Sequence, residues 1–270
     1  MTNLASGEQS VLFYTGRGVT SRSDVAVEVS QTSSGSGIVF VVTQGQLTVK
    51  IPAQAQYVVS TLRNVVLGLL PVRLCLVEHF LAAASLYGLN NLLVTVDGME
   101  LPLGDGSASF WLDAFAAAGW KQSVIEPTIE LDTPIVCRNG DRMLLAVPDD
   151  KFSVSYHMDW DHPLIGKCWQ SWETSSGADA IAGARTFGKL SENKLLGLEN
   201  EVVSLTADGF TQELRWRDEP VRHKLLDLIG DLTLSGCNPL AFKARFVSIK
   251  AGHELDVQMA RQLSEIIKHS

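Results

Sequence analysis

The chain reads as an α+β protein built from two similar halves, each a β-sheet layered against α-helices. Three observations predict this. Segments rich in β-branched and aromatic residues open each half. An apolar helical stretch, a strand and a second helical stretch then follow in the same order in both. The length, 270 residues with 46% hydrophobic side chains, is enough for two modest cores. The halves share order rather than residue identity, so the repeat is architectural. The expected boundaries are 1–125 and 126–270, joined through Glu126-Pro127-Thr128.

In the first half, residues 25–29 and 37–42 read as strands across the Ser/Gly turn at 33–36. The apolar run Leu74-Cys75-Leu76-Val77 leads into a helix over 78–87, stopped by Gly88. A strand over 91–96 closes at Asp97-Gly98. A second helix spans 107–118, ends at Gly119, and takes Asp105 or Ser107 as its N-cap. In the second half, strands are expected over 129–136 and 143–147. A helix over 220–234 carries Val221, Leu225, Leu228 and Leu232 at helical spacing and stops at Gly236. A strand over 244–249 and a helix over 254–267 complete the chain.

Composition narrows the function. Twenty-two basic against 30 acidic residues leave a formal charge of −8. Such a chain has no general attraction for phosphate backbones, so no nucleic-acid partner is expected, although one local basic pocket can still serve a phosphorylated substrate. Cys75, Cys137, Cys168 and Cys237 lie far apart without Cys-x-x-Cys spacing, which fits reduced thiols and not a thiolate metal site. The first residues lack a basic segment followed by an apolar one, so no signal peptide is expected. The most apolar run, 65–77, is interrupted by Pro71 and Arg73 and is too short to span a bilayer. The expectation is a soluble, cytoplasmic monomer with no integral membrane association.

The chemistry concentrates on few residues. His223 and Asp227 are four apart and share a helical face, with Asp231 four further on. Imidazole nitrogen and carboxylate oxygen are normal zinc ligands. A solvated His–Asp pair that merely supports the helix would explain the same spacing. His79 opens the first helix of half one as His223 opens the matching helix of half two, so a pseudo-two-fold arrangement brings both to the interface, where ligand sites often lie. A catalytic zinc needs three protein ligands and an open position, and His79, His223 and Asp227 make that number. Glu78, next to a ligand, is placed to take a proton from the attacking water; its alternative role is to favour the helix dipole. His253, in a glycine-preceded loop, suits protonation of an amine leaving group, with Asp231 keeping it cationic, or is simply an exposed loop histidine. Thr186, within Ala184-Arg185-Thr186-Phe187-Gly188, offers a hydroxyl to an oxyanion, or is simply a β-branched residue in a strand or turn. His157 and His162 read as structural.

Taken in order, Val77-Glu78-His79, Asp105-Gly106-Ser107-Ala108, Asp161-His162-Pro163, Ala184-Arg185-Thr186-Phe187-Gly188, Val221-Arg222-His223-Lys224 with Asp227, Gly230 and Asp231, and Gly252-His253 resemble the UDP-3-O-acyl-N-acetylglucosamine deacetylases, the zinc amidases of lipid A synthesis. The resemblance runs from Gly16 to the last helix. It implies two α+β domains with Zn2+ (Fe2+ being a tolerated alternative) at their interface, held by His79, His223 and Asp227. It implies Glu78 as general base, His253 as general acid supported by Asp231, Thr186 at the oxyanion, Lys224 at the substrate or the site charge, and Phe187 beside the sugar nucleotide. The implied substrate is a UDP-sugar lipid A precursor, which loses acetate from its glucosamine nitrogen. Two stretches depart from the family pattern: Gly18-Val19-Thr20-Ser21-Arg22, where Gly-Leu-His-Ser-Gly is usual, and residues 195–200, where Gly-Gly-Ser is frequent. They motivate one alternative, a zinc amidase for another N-acetylated sugar or nucleotide-sugar; a non-catalytic zinc- or UDP-sugar-binding protein is a separate one.

Overall fold

The computed structural model describes residues 11–33 and 35–269. The first half contains β1 (Leu12–Arg17), β2 (Asp24–Gln31), β3 (Ile38–Gln44), β4 (Leu47–Pro52), a small antiparallel sheet of β5 (Val58–Ser60), β6 (Val66–Leu69) and β7 (Val72–Leu74), helix α1 (Glu78–Tyr87), β8 (Leu92–Asp97) and helix α2 (Ser109–Ala117). The second half contains β9 (Ile129–Glu130), β10 (Ile135–Asn139), β11 (Arg142–Pro148), β12 (Ser153–Trp160), β13 (Gly166–Glu173), α3 (Asp179–Ala182), β14 (Phe187–Lys189), α4 (Leu190–Leu196), β15 (Val203–Leu205), α5 (Glu219–Leu232), β16 (Phe242–Ile249) and α6 (His253–His269).

The expected repeat is present in the strand order. The first large sheet runs β1-β2-β8-β3-β4 and the second β10-β11-β16-β12-β13, with β9 added against β16. In each, two antiparallel hairpins flank a later strand, which pairs antiparallel with the first hairpin and parallel with the second. The parallel pairing requires a crossover, and α1 and α5 supply it in their respective halves. Alternation sets the faces. Val25, Val27 and Val29 of β2 point inward, as do Ile38, Phe40 and Val42 of β3. Phe80 of α1 meets Phe40 edge-on at 5.8 Å, which seats that helix on the first sheet. Helix α5 lies on β12 and β13 and also against α1, so the helices of the two halves meet between the two sheets.

That position explains the unusual composition of α1. All ten of its residues are buried, including the run Ala82-Ala83-Ala84. A helix wrapped on every side cannot have a polar stripe, and small side chains let its neighbours approach. The closest approach is at Gly230 of α5. A Cβ there would stand 2.1 Å from the Glu78 carbonyl oxygen, so no other residue fits without moving the helices apart. Gly88, at φ 80°, ends α1 as expected.

Three expectations need correction. The strand expected over 129–136 is two pieces, β9 and β10, because Pro134 removes a ladder donor and bends the chain between them. Neither Asp105 nor Ser107 caps α2, whose first flanking residue is Ala108 without a side-chain cap. Asp105 instead accepts from the Ser107 amide (3.0 Å) and hydroxyl (2.7 Å) and from Arg215 Nη2 (2.6 Å), while the Ala108 amide donates to the Ala182 carbonyl. The turn is therefore consumed in joining the halves. His253 lies in the first turn of α6 and not in a loop before it. The four cysteines are unpaired. Among the described residues no helix is long and apolar enough to cross a membrane.

Gly230→Ala is expected to lower unfolding stability by about 1–3 kcal/mol through overpacking against α1. Urea unfolding measures this, and an unchanged midpoint would show that the helices separate freely.

Candidate active site

The interface between α1 and α5 gathers the polar residues picked out above. Leu76, just before α1, adopts φ 61°, a left-handed conformation that is costly for leucine. This sharp entry brings Glu78 and His79 to the buried helix start. One turn of α5 presents His223 and Asp227 across from them. His79 Nε2 lies 3.4 Å from Asp227 Oδ1, and His223 Nε2 lies 3.4 Å from Asp227 Oδ2. The two imidazoles stand edge to face with centroids 5.0 Å apart. All three side chains are buried, and their donor atoms fall within 4.8 Å of one another.

This set fits a metal ion. The His223 Nδ1 faces the Ala184 carbonyl at 3.2 Å, an acceptor, so Nδ1 carries the proton and Nε2 keeps a lone pair. Burial, with the nearby His79 and Lys224, pushes the His223 pKa down to about 3 against the pull of Asp227, so the ring is neutral at ordinary pH, the form that can bind a metal ion. Burial alone would raise the Asp227 pKa. The neighbouring His223, the Lys224 ammonium and the His79 contact outweigh it and hold the carboxyl well below its usual range. Lys224 Nζ donates to Asp227 Oδ2 at 2.7 Å, and although the side chain is largely buried this pairing keeps the ammonium charged.

Around the set lie the other candidates. Glu78 Oε2 accepts from the Val65 amide at 3.2 Å and lines the same cavity as the ligands, which is more than a dipole-favoured surface acid would do. His253 Nδ1 lies 2.6 Å from Asp231 Oδ2, and its Nε2 lies 4.0 Å from Asp227. Burial opposes its charge, but the adjoining Asp231 prevails and lifts the pKa to about 10. Asp231 itself is fully buried behind His253 and does not reach the cavity. Thr186 does reach it, its hydroxyl donating to the Gly106 carbonyl at 3.1 Å. Phe187 stands edge-on to His223 at 5.6 Å and against Trp160 at 5.0 Å. His157 packs against Trp169, and the His162 Nε2 meets the Thr206 carbonyl at 2.8 Å; neither belongs to the donor set.

The cavity is about 620 Å³. Its lining combines Glu78, His79, Thr186, His223, Lys224, Asp227 and His253 with apolar Trp160, Leu196, Leu198, Val202 and Leu205, and Arg63 and Lys189 add positive charge.

Several residues that shape the site escaped the sequence reading. Glu219, buried at the start of α5, accepts from the Arg185 amide and guanidinium at 3.0, 2.8 and 3.1 Å and so fixes the segment that carries Thr186 and Phe187. Glu100, also buried, accepts from the Thr20 and Ser21 amides at 3.0 and 2.7 Å. Arg22 reaches the Gly197 carbonyl and lies 3.6 Å from Glu201. The two atypical stretches, 18–22 and 195–200, therefore meet, and Thr20, Leu196 and Leu198 from them line the cavity. Only the glutamate directly before Pro220 hinted at Glu219, and nothing local hinted at Glu100.

The fold and the site define a class, an α+β enzyme whose two halves close on a buried His–His–Asp donor set. The chain belongs to the UDP-3-O-acyl N-acetylglycosamine deacetylase family, whose model matches residues 9–265. It is thus a hydrolase of a metal-dependent family. Relatives named UDP-3-O-acyl-N-acetylglucosamine deacetylase include those of Trichormus variabilis, 35% identical over 93% of this chain and 94% of the relative, and Synechocystis sp., 38% identical over 80% and 82%. That of Leptospira biflexa is 34% identical over 91% and 85%.

Replacing His79 or Asp227 with alanine should give metal-poor protein, whereas Glu78→Ala should retain metal. Metal content of the purified variants checks this; a metal-free Glu78→Ala protein would contradict the division of roles.

Proposed function

We propose that the protein removes acetate from the glucosamine nitrogen of UDP-3-O-(3-hydroxyacyl)-N-acetylglucosamine, the committed step of lipid A biosynthesis, as a zinc-dependent monomer in the cytoplasm. Fe2+ is the alternative metal, since a His–His–Asp set accepts either. We take the two domains to divide at 125/126, within the irregular stretch between α2 and β9. The observation that carries the reading is the convergence of three buried donors in one cavity with the Glu78 carboxyl group and the charged imidazole of His253.

His79, His223 and Asp227 hold the metal. When bound, it supplies Lewis acidity to the amide carbonyl and to the attacking water. Glu78 accepts the water proton. Thr186 exchanges its Gly106 acceptor for the developing oxyanion and donates to it. His253, kept protonated by Asp231, delivers a proton to the departing glucosamine nitrogen. Lys224 balances the charge of Asp227 and contacts substrate. Phe187 flanks the sugar nucleotide, the apolar lining residues take the acyl chain, and Arg63 and Lys189 suit the diphosphate. Because Asp227, Asp231 and His253 are buried, their charges act with little solvent screening.

The second reading, a zinc amidase for another N-acetylated sugar, is favoured by one observation: both atypical stretches contribute to the wall of the cavity. Acetate release from the acylated UDP-sugar, with and without chelator, tests the proposal. Chelator-sensitive release restored by zinc is the expected result. No release from metal-loaded protein, with release from a sugar lacking the acyl chain, would move the assignment to the second reading.

Glu78→Ala should lower kcat by about 100- to 10,000-fold. The pH–rate profile should show a basic limb, because the acid form of His253 is lost as pH rises through its pKa. That limb should lie above the free-imidazole value of about 6.5. A limb unchanged in His253→Gln would remove His253 from the role.

A further inference from the structure

Behind His253 lies a second buried carboxylate that the catalytic scheme leaves unused. Asp256, one turn along α6 from His253, is 1% exposed. Neither of its oxygens has a hydrogen-bond partner. The Asp231 Oδ1 atom of the neighbouring carboxylate is also buried and unpartnered. Donor atoms of Asp231, His253 and Asp256 lie within 4.8 Å of one another. Two adjoining buried carboxylates cannot both stay ionised without a cation for each. His253 Nδ1, at 2.6 Å, is committed to Asp231, and Lys224 Nζ, at 2.7 Å, to Asp227.

We propose that Asp256 is a positioning residue for the general acid: it is held as the neutral carboxylic acid and donates its proton to Asp231 Oδ1, locking the carboxylate that orients and charges His253. One proton satisfies the orphaned oxygen of Asp231 and removes the repulsion between the two acids. Asp231 retains the charge because it alone of the two has the imidazolium partner. Asp256 is pushed well above the ordinary carboxyl range by burial first and the Asp231 charge second, against His253 and Lys224. The other groups facing it are Asp227, the Tyr156 hydroxyl and the Cys137 thiol. None of these is a cation, so none stabilises an Asp256 anion.

The role of Asp256 as a support for the general acid rests on the deacetylase reading; its protonation state does not. Two kinds of measurement separate them. Infrared difference spectra of the zinc-loaded protein against Asp256→Asn at neutral pH should contain a protonated carboxylic C=O stretch; an ionised carboxylate pair of bands in its place overturns the proposal whatever the substrate. In acetate release, Asp256→Asn, which imitates the neutral acid as a donor, should keep kcat within about threefold and leave the basic limb in place. Had Asp256 been an anion, its loss beside His253 would move that limb acidic by about one pH unit, and that shift also overturns the proposal. Asp256→Leu, which leaves Asp231 Oδ1 without a donor, should lower kcat about tenfold at unchanged KM. Full activity in that variant refutes the positioning role.

Discussion

The backbone contact between Gly230 and Glu78 governs the rest of the molecule. Helices normally pack at interaxial distances of about 8–10 Å, set by the side chains between them. Here one helix has no side chain at the crossing, and the carbonyl of the other occupies the place of the missing Cβ. His79 follows that carbonyl directly, and Asp227 sits three residues before the glycine. Close helix packing and convergence of the donor set are therefore one geometric event. The buried alanines of α1 serve the same end, because a larger residue there would tilt the helix away from α5 or from its sheet.

Close packing also accounts for the electrostatics. His79, His223, Asp227, Lys224, Asp231, His253 and Asp256 occupy a region with little access to water. Burial pushes His223, Asp227, Lys224, Asp231, His253 and Asp256 toward neutrality, and the outcome for each depends on its nearest partners. His223 turns neutral, since burial, the second imidazole and Lys224 outweigh the pull of Asp227. Lys224 and His253 stay charged, because each has a carboxylate at hydrogen-bond distance. The result is a site in which a charged imidazole, a neutral one and an ionised carboxylate coexist a few ångströms apart. The overall charge of −8 has no bearing on this; the local pairs decide it.

Much of this was legible in the chain. The His223–Asp227–Asp231 spacing could be placed on one helical face because the 3.6-residue period is local. Helix α1 could be bounded by Glu78 and Gly88, since end signals are local too. The strand break at Pro134 was missed, although proline marks it, because the flanking apolar residues favour a single strand. Glu219, Glu100 and Asp256 were missed for a different reason. A buried carboxylate looks like a surface one until its surroundings are known, and each of the three is buried by contacts from distant segments.

The sequence by itself determined which residue types were available for metal binding and acid–base chemistry, the helices that carry them, and the duplicated order of elements, because periodicity, capping and ordered motifs are properties of neighbours in the chain. Only the tertiary structure decided that His79 and His223 meet, which acids are charged, and that the two atypical stretches wall the same cavity. Those outcomes depend on distances between segments far apart in the chain and on the exclusion of water between them, and neither quantity exists until the two halves have packed.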